Sequence, residues 1–124
     1  MKRILIIDDD EMIRVVFERF LKGKGYAVDC AASGKEGLQL LEIEPPDLVV
    51  TDIMMPETDG LEVVLSMHKT HPGIPVIAIS GGMNVAPMDF LPLVKKFGAA
   101  KVYYKPVELD DLLEGIEELL GTAD

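Results

Sequence analysis

Cysteine is nearly missing from this sequence: Cys30 is the only one. No internal disulfide can form, and a lone thiol suits a reducing cytoplasm, the expected location. Long apolar runs are missing as well. A membrane span needs roughly 18 consecutive apolar residues, and no stretch approaches that, so no membrane association is expected. The start, Met1-Lys2-Arg3, is basic in the manner of a signal peptide. The apolar run behind it, Ile4–Ile7, is only four residues long and stops at Asp8-Asp9-Asp10, so it is no signal core. Positive charge is scarce. Twelve Lys and Arg stand against 22 Asp and Glu, a net charge of −10, which argues against nucleic acid as a partner. What the chain has in quantity is core material: 48% of its 124 residues are hydrophobic, ample for one domain.

That material is arranged in five alternations of strand and helix. Ile4–Ile7 is a continuous apolar run, as expected of a parallel strand buried on both faces. Ile13, Val16, Phe17, Phe20 and Leu21 then recur at helical spacing, and Gly23 and Gly25 supply the stop. Tyr26–Ala31 reads as a second strand. Ser33 with Glu36 has the form of a capping box, opening a helix through Leu38, Leu40 and Leu41 that Pro45-Pro46 must end. Asp47–Thr51 is a third strand, Met54–Gly60 a turn-rich loop, and Leu61, Val64, Leu65 and His68 mark a third helix. Val76–Ile79 follows as strand four. A long loop, Gly81–Pro87, leads to a helix near Asp89–Phe97, and Val102–Tyr104 makes strand five. Leu109, Leu112, Leu113, Ile116, Leu119 and Leu120 outline the last helix. This alternation predicts an α/β fold, a doubly wound parallel sheet with helices on both faces. With no linker or second core, residues 1–124 are expected to form a single domain without an attached output module.

Ligands of open parallel sheets bind beyond the carboxyl ends of the strands. Those ends carry Asp8-Asp9, Asp52, Ser80 and Lys105, each after an apolar run. Three carboxylates brought together repel unless a cation sits among them. Without Cys or His ligands Zn²⁺ is a poor fit, and Mg²⁺, which takes a few carboxylates plus water and phosphate oxygens, is a good one. With such an ion in place one carboxylate can attack phosphorus. Lys105 would add positive charge to the phosphoryl group and Ser80 a hydrogen bond, which together serve in-line phosphoryl transfer.

Four segments carry a resemblance: Ile4-Leu5-Ile6-Ile7-Asp8-Asp9-Asp10, Pro46-Asp47-Leu48-Val49-Val50-Thr51-Asp52-Ile53-Met54-Met55-Pro56, Val76-Ile77-Ala78-Ile79-Ser80-Gly81 and Tyr104-Lys105-Pro106. In order and spacing the chain resembles the response-regulator receiver domains of two-component phosphorelay signalling, over essentially its whole length. The resemblance implies a flavodoxin-like sheet of order 2-1-3-4-5. It implies Asp52 as phosphoacceptor, Asp9 as a direct Mg²⁺ ligand, Asp8 as a ligand through water, and the Met54 backbone carbonyl as a further ligand, with Mn²⁺ able to substitute. Ser80 and Lys105 would bind the phosphoryl group, and the Lys105–Pro106 bond would be cis. The donor would be a sensor histidine kinase or a histidine phosphotransfer protein, docking on the first helix and the loops near Met55-Pro56. The product is a switch that presents a changed surface to a protein output target, as a monomer or a phosphorylation-dependent dimer. It would be no enzyme beyond its own phosphoryl transfer and self-dephosphorylation.

Two features depart from the family pattern. The stretch between Ser80 and Lys105 is longer than usual, with the excess expected in Gly81–Pro87, which would then carry more of the response. The family's switch aromatic position holds Val102; Tyr104 shares that strand face by alternation, so Val102 and Tyr104 are the candidates for output coupling. His68 and His71 are expected to pack or to face solvent. A phosphohydrolase using an aspartate nucleophile is disfavoured, because Met54 stands where it needs a second carboxylate. A flavodoxin-like cofactor binder is disfavoured too, because Asp8-Asp9-Asp10-Glu11 would repel a phosphate that no metal accompanies.

Overall fold

The computed structural model describes residues 1–53, 60–80, 95–96 and 98–121. In chain order the described elements are β1 (Arg3–Ile7), α1 (Glu11–Gly23), β2 (Ala27–Ala31), α2 (Gly34–Ile43), β3 (Leu48–Asp52), α3 (Gly60–Thr70), β4 (Val76–Ser80), β5 (Lys101–Tyr104) and α4 (Leu109–Leu120). The Gly81–Pro87 loop, and with it Met54, Met55 and Pro56, lies outside the described residues. So does most of the helix expected near Asp89–Phe97, of which Lys95 and Lys96 are described and helical.

The five strands form one sheet in the order β2-β1-β3-β4-β5, parallel throughout. Strand alternation divides the core in two. Leu5, Ile7, Val49 and Ala78 point to one face, where Leu41 of α2 and Val63, Val64 and Met67 of α3 cover them. Ile4, Ile6, Val50, Ile77 and Ile79 point to the other, under Phe17 and Leu21 of α1 and Leu112 and Ile116 of α4. All five residues of β3 and of β4 are buried, as a sheet sandwiched between helices requires.

Local signals set most boundaries. Asp10 caps α1, accepting a hydrogen bond from Met12 N at 2.9 Å. Ser33 Oγ caps α2 through Glu36 N at 3.1 Å, while Glu36 reaches back to Ala32 N at 2.8 Å. The box is therefore real, but its return bond lands one residue before the cap.

The third helix is rotated from its sequence-based description. Its buried residues are Gly60, Val63, Val64 and Met67, whereas Leu61 and Leu65 are half-buried and His68 is exposed. The reason is at its start: Gly60 is pressed against β3, and the helix must turn whichever residues follow that contact toward the sheet. Val102 packs on the α2–α3 side of the sheet and Tyr104 is 46% exposed, while Tyr103 packs into the opposite core. Tyr103 lodges where a Cβ on Gly115 would stand 2.2 Å from its hydroxyl, so a larger residue there would force the Tyr103 ring to shift.

Candidate functional site

Two strand ends run one residue further than expected, and both additions are site residues. Asp52 closes β3 and Ser80 closes β4, because the ladder continues past them: Ile53 N donates to Ile79 O at 2.9 Å and Lys105 N donates to Ser80 O at 2.8 Å. The register sets Asp52 beside Ile79 and Ser80 beside Tyr104, so β3, β4 and the residue after β5 converge on one edge. Asp8 follows β1 directly, on the neighbouring strand.

Asp8, Asp9 and Asp52 each bring a carboxylate oxygen to within 4.8 Å of the others. Asp8 and Asp52 are buried, Asp9 is exposed. Asp8 Oδ1 accepts from Asp10 N at 2.9 Å, and its other oxygen lies 3.3 Å from Lys105 Nζ. Lys105 Nζ donates to Asp52 Oδ2 at 2.9 Å. Burial pushes the Asp8 carboxyl up; the Asp10 N–H and the Lys105 charge oppose that, and the Asp52 charge adds to it. Burial alone would lower the Lys105 ammonium, but the hydrogen bond to Asp52 and the charges of Asp8 and Asp52 outweigh it and leave it raised. Lys105 is thus a cation clamped across two of the carboxylates.

Ser80 Oγ is fully buried and has no hydrogen-bond partner among the described residues. A buried hydroxyl in that condition costs on the order of 1–3 kcal/mol unless something else satisfies it. It stands on the strand beside Asp52, where a ligand oxygen would do so. The Lys105–Pro106 peptide bond is cis.

Two further residues shape the site that motif reading did not single out. Arg14 Nη1 donates to the Asp8 backbone carbonyl at 2.8 Å, tying α1 to the end of β1. Gly60 allows the start of α3 to close on the acceptor strand, since a Cβ there would sit 1.9 Å from the Asp52 carbonyl oxygen. Gly60 N also donates to Ile53 O at 3.0 Å. A glycine at the junction of the Met54–Gly60 loop and a helix is a signal of close approach, but what it approaches is visible only in the fold.

The donor set fits a hard divalent cation. It offers three oxygens and no nitrogen or sulfur. One lysine within reach neutralises only part of three carboxylates. Met54, whose carbonyl is the remaining ligand expected, lies outside the described residues.

Comparison with known proteins agrees with this geometry. The model of the response regulator receiver domain family matches residues 4–117. The chain is 34% identical over 127 aligned positions to the response regulator MprA of Mycolicibacterium vanbaalenii, covering 95% of this chain and 50% of that protein. It is 37% identical to the sensor kinase CckA of Brucella abortus, covering 98% of this chain and 13% of that one. A crystal structure of a CheY-like response regulator receiver domain protein from Methanospirillum hungatei superposes with a TM-score of 0.88 at 37% identity, over 95% of this chain and 92% of that one. The chain belongs to the response regulator receiver domain family. It is a phosphoryl-accepting switch of two-component signalling, on a flavodoxin-like fold. It spans about half the length of MprA and a smaller share of CckA.

Proposed function

We propose that Asp52 is the phosphoacceptor and that the donor is a phosphohistidine on a sensor kinase or a histidine phosphotransfer protein. In the transfer an Asp52 carboxylate oxygen forms a bond to phosphorus as the bond from phosphorus to the histidine nitrogen breaks, the nitrogen keeping the electron pair. Asp8, Asp9 and Asp52, with the Met54 carbonyl, would hold Mg²⁺, or Mn²⁺ in its place. Bound there, the ion neutralises charge on the phosphoryl oxygens. Lys105 supplies a second positive charge and exchanges part of its contact with Asp52 for the phosphoryl group. The Ser80 hydroxyl donates to another phosphoryl oxygen, which satisfies it. Hydrolysis of the acyl phosphate by water resets the switch, and that is the extent of its catalysis.

The observation that carries this reading is a buried carboxylate, Asp52, with two other carboxylates within 4.8 Å and an ammonium at 2.9 Å. A structural aspartate needs only the lysine. The docking surface for the donor lies next to it. A groove of about 450 Å³ lined by Ile13, Val16, Phe17, Pro106, Val107 and Leu109 runs from Lys105 along α1. The domain is taken to work as a single receiver in the cytoplasm; no described helix is long and apolar enough to cross a membrane. Its output is contact with a protein target.

The test is incubation with a small acyl phosphate, with and without Mg²⁺, followed by intact-mass measurement. A phosphate increment that needs the metal and disappears in Asp52→Asn is expected. An unmodified protein, or an increment that survives Asp52→Asn, overturns the assignment.

A further inference from the structure

The groove beside α1 is not the largest on the described surface. A shallow one of about 620 Å³ lies between α2 and α3, lined by Lys35, Leu38, Gln39, Glu42 and Ile43 of α2 and by Glu62 of α3. The five α2 residues recur at helical spacing and form one outward stripe. Ile43 on it is 77% exposed, a large apolar side chain left in water. This end of α2 lies far from the carboxylates: Glu44, the next residue, pairs with Arg3 at the start of β1, the opposite edge of the sheet from Asp8. Phosphoryl transfer makes no use of it.

The charges on the stripe are placed against the helix that bears them. Lys35 stands in the first turn of α2 and Glu42 in the last, and no basic residue occupies that last turn. The helix dipole favours the reverse, acid at the start and base at the end. Among the described residues Glu42 has only a 3.9 Å approach to His71 Nε2 as compensation, longer than a hydrogen bond. A neighbouring helix running the other way removes both conflicts.

We propose that a second copy of this chain docks on the stripe, α2 against α2, antiparallel about a twofold axis. Lys35 of each copy then meets Glu42 of the other, giving two equivalent ion pairs, as a self-complementary patch requires. Leu38 and Gln39 cross at the axis. Ile43 covers the methylene stem of the other copy's Lys35, which removes the exposed apolar surface from water. The two α2 dipoles oppose one another favourably. One helix pair buries less than a standard interface, so the association is weak and shows at high concentration. It is independent of Asp52 and of Mg²⁺, because no residue of the stripe belongs to the carboxylate site.

Sedimentation velocity on the full chain in chelator, from about 10 µM to about 500 µM, tests this. A sedimentation coefficient that rises with concentration is expected. Lys35→Glu and Glu42→Lys should each weaken association roughly tenfold or more by setting like charges together, and the double variant K35E/E42K should recover it. Each single change also improves the match of α2 to its own dipole, so lost association cannot be laid to unfolding; circular dichroism verifies the fold. A chain that stays monomeric across the range overturns the proposal and leaves the groove to another protein. A dimer indifferent to both single variants overturns it equally, since its interface is then elsewhere.

Discussion

At the scale of single residues the site is held in opposition to its own charges, and Asp8 shows this most directly. It is 2% exposed, with one lysine and two further carboxylates close around it. Burial holds its folded-state pKa above the ordinary carboxylate value, with Asp52 adding to that and Asp10 N–H and Lys105 opposing it. The sign follows by linkage. A group raised on folding contributes stability below its unfolded pKa, and that contribution is lost as pH rises through the folded value. In metal-free protein at neutral pH the burial of Asp8 therefore costs stability. Asp8→Asn keeps the shape and keeps an oxygen for the Asp10 N–H. It should raise metal-free stability by about 1 kcal/mol near neutrality, with phosphoryl acceptance falling, the usual trade of stability against a strained site. The gain should vanish below the ordinary carboxylate range, where wild-type Asp8 is protonated. Urea unfolding in chelator at the two pH values decides it; a variant less stable than wild type near neutrality would show that Lys105 dominates instead.

At the scale of elements, what could be read from the sequence was what neighbours in the chain decide. Ser33 and Glu36 announce the start of α2 because both partners lie within one turn, and Ser33 Oγ does accept from Glu36 N. Removing it as Ser33→Ala should cost about 1 kcal/mol of stability, while Ser33→Asp, which caps as well, should restore it; denaturant midpoints give the comparison, and equal midpoints for all three proteins would mean the cap contributes nothing. The apolar runs of β1, β3 and β4 were equally legible, and so were the polar residues that end them. What was not legible depends on contacts distant in sequence. The face α3 buries is set by Gly60 closing on the Asp52 carbonyl, and the helix's own apolar spacing admits a stripe through Leu61 and Leu65 just as well. Arg14 looks like any exposed-face arginine of α1 until its guanidinium is found on the Asp8 carbonyl. Asp52 and Ser80 belong to their strands because of bonds made by Ile53 and Lys105.

At the scale of the whole molecule, the strand order turns these local oppositions into a switch on stability. β1 and β3 are adjacent, so Asp8, Asp9 and Asp52 meet only when the sheet is complete. An unfolded chain separates Asp9 from Asp52 and has no reason to bind a divalent ion at both. A ligand that binds only the folded state stabilises it by RT ln(1 + [L]/Kd), about 2.7 kcal/mol at a hundredfold excess over Kd. For a domain of 124 residues that corresponds to a rise in Tm of roughly 10 °C. Asp9 offers the clean control, because it is exposed and can be changed without opening the core. Asp9→Asn should unfold at nearly the wild-type temperature in chelator, yet gain little when Mg²⁺ is added. Differential scanning calorimetry of both proteins with and without Mg²⁺ reads the difference. If wild type and Asp9→Asn rise together, the ion acts elsewhere on an acidic surface; if neither rises, the three carboxylates do not form a metal site, and Lys105 alone must hold the charge that folding brings together.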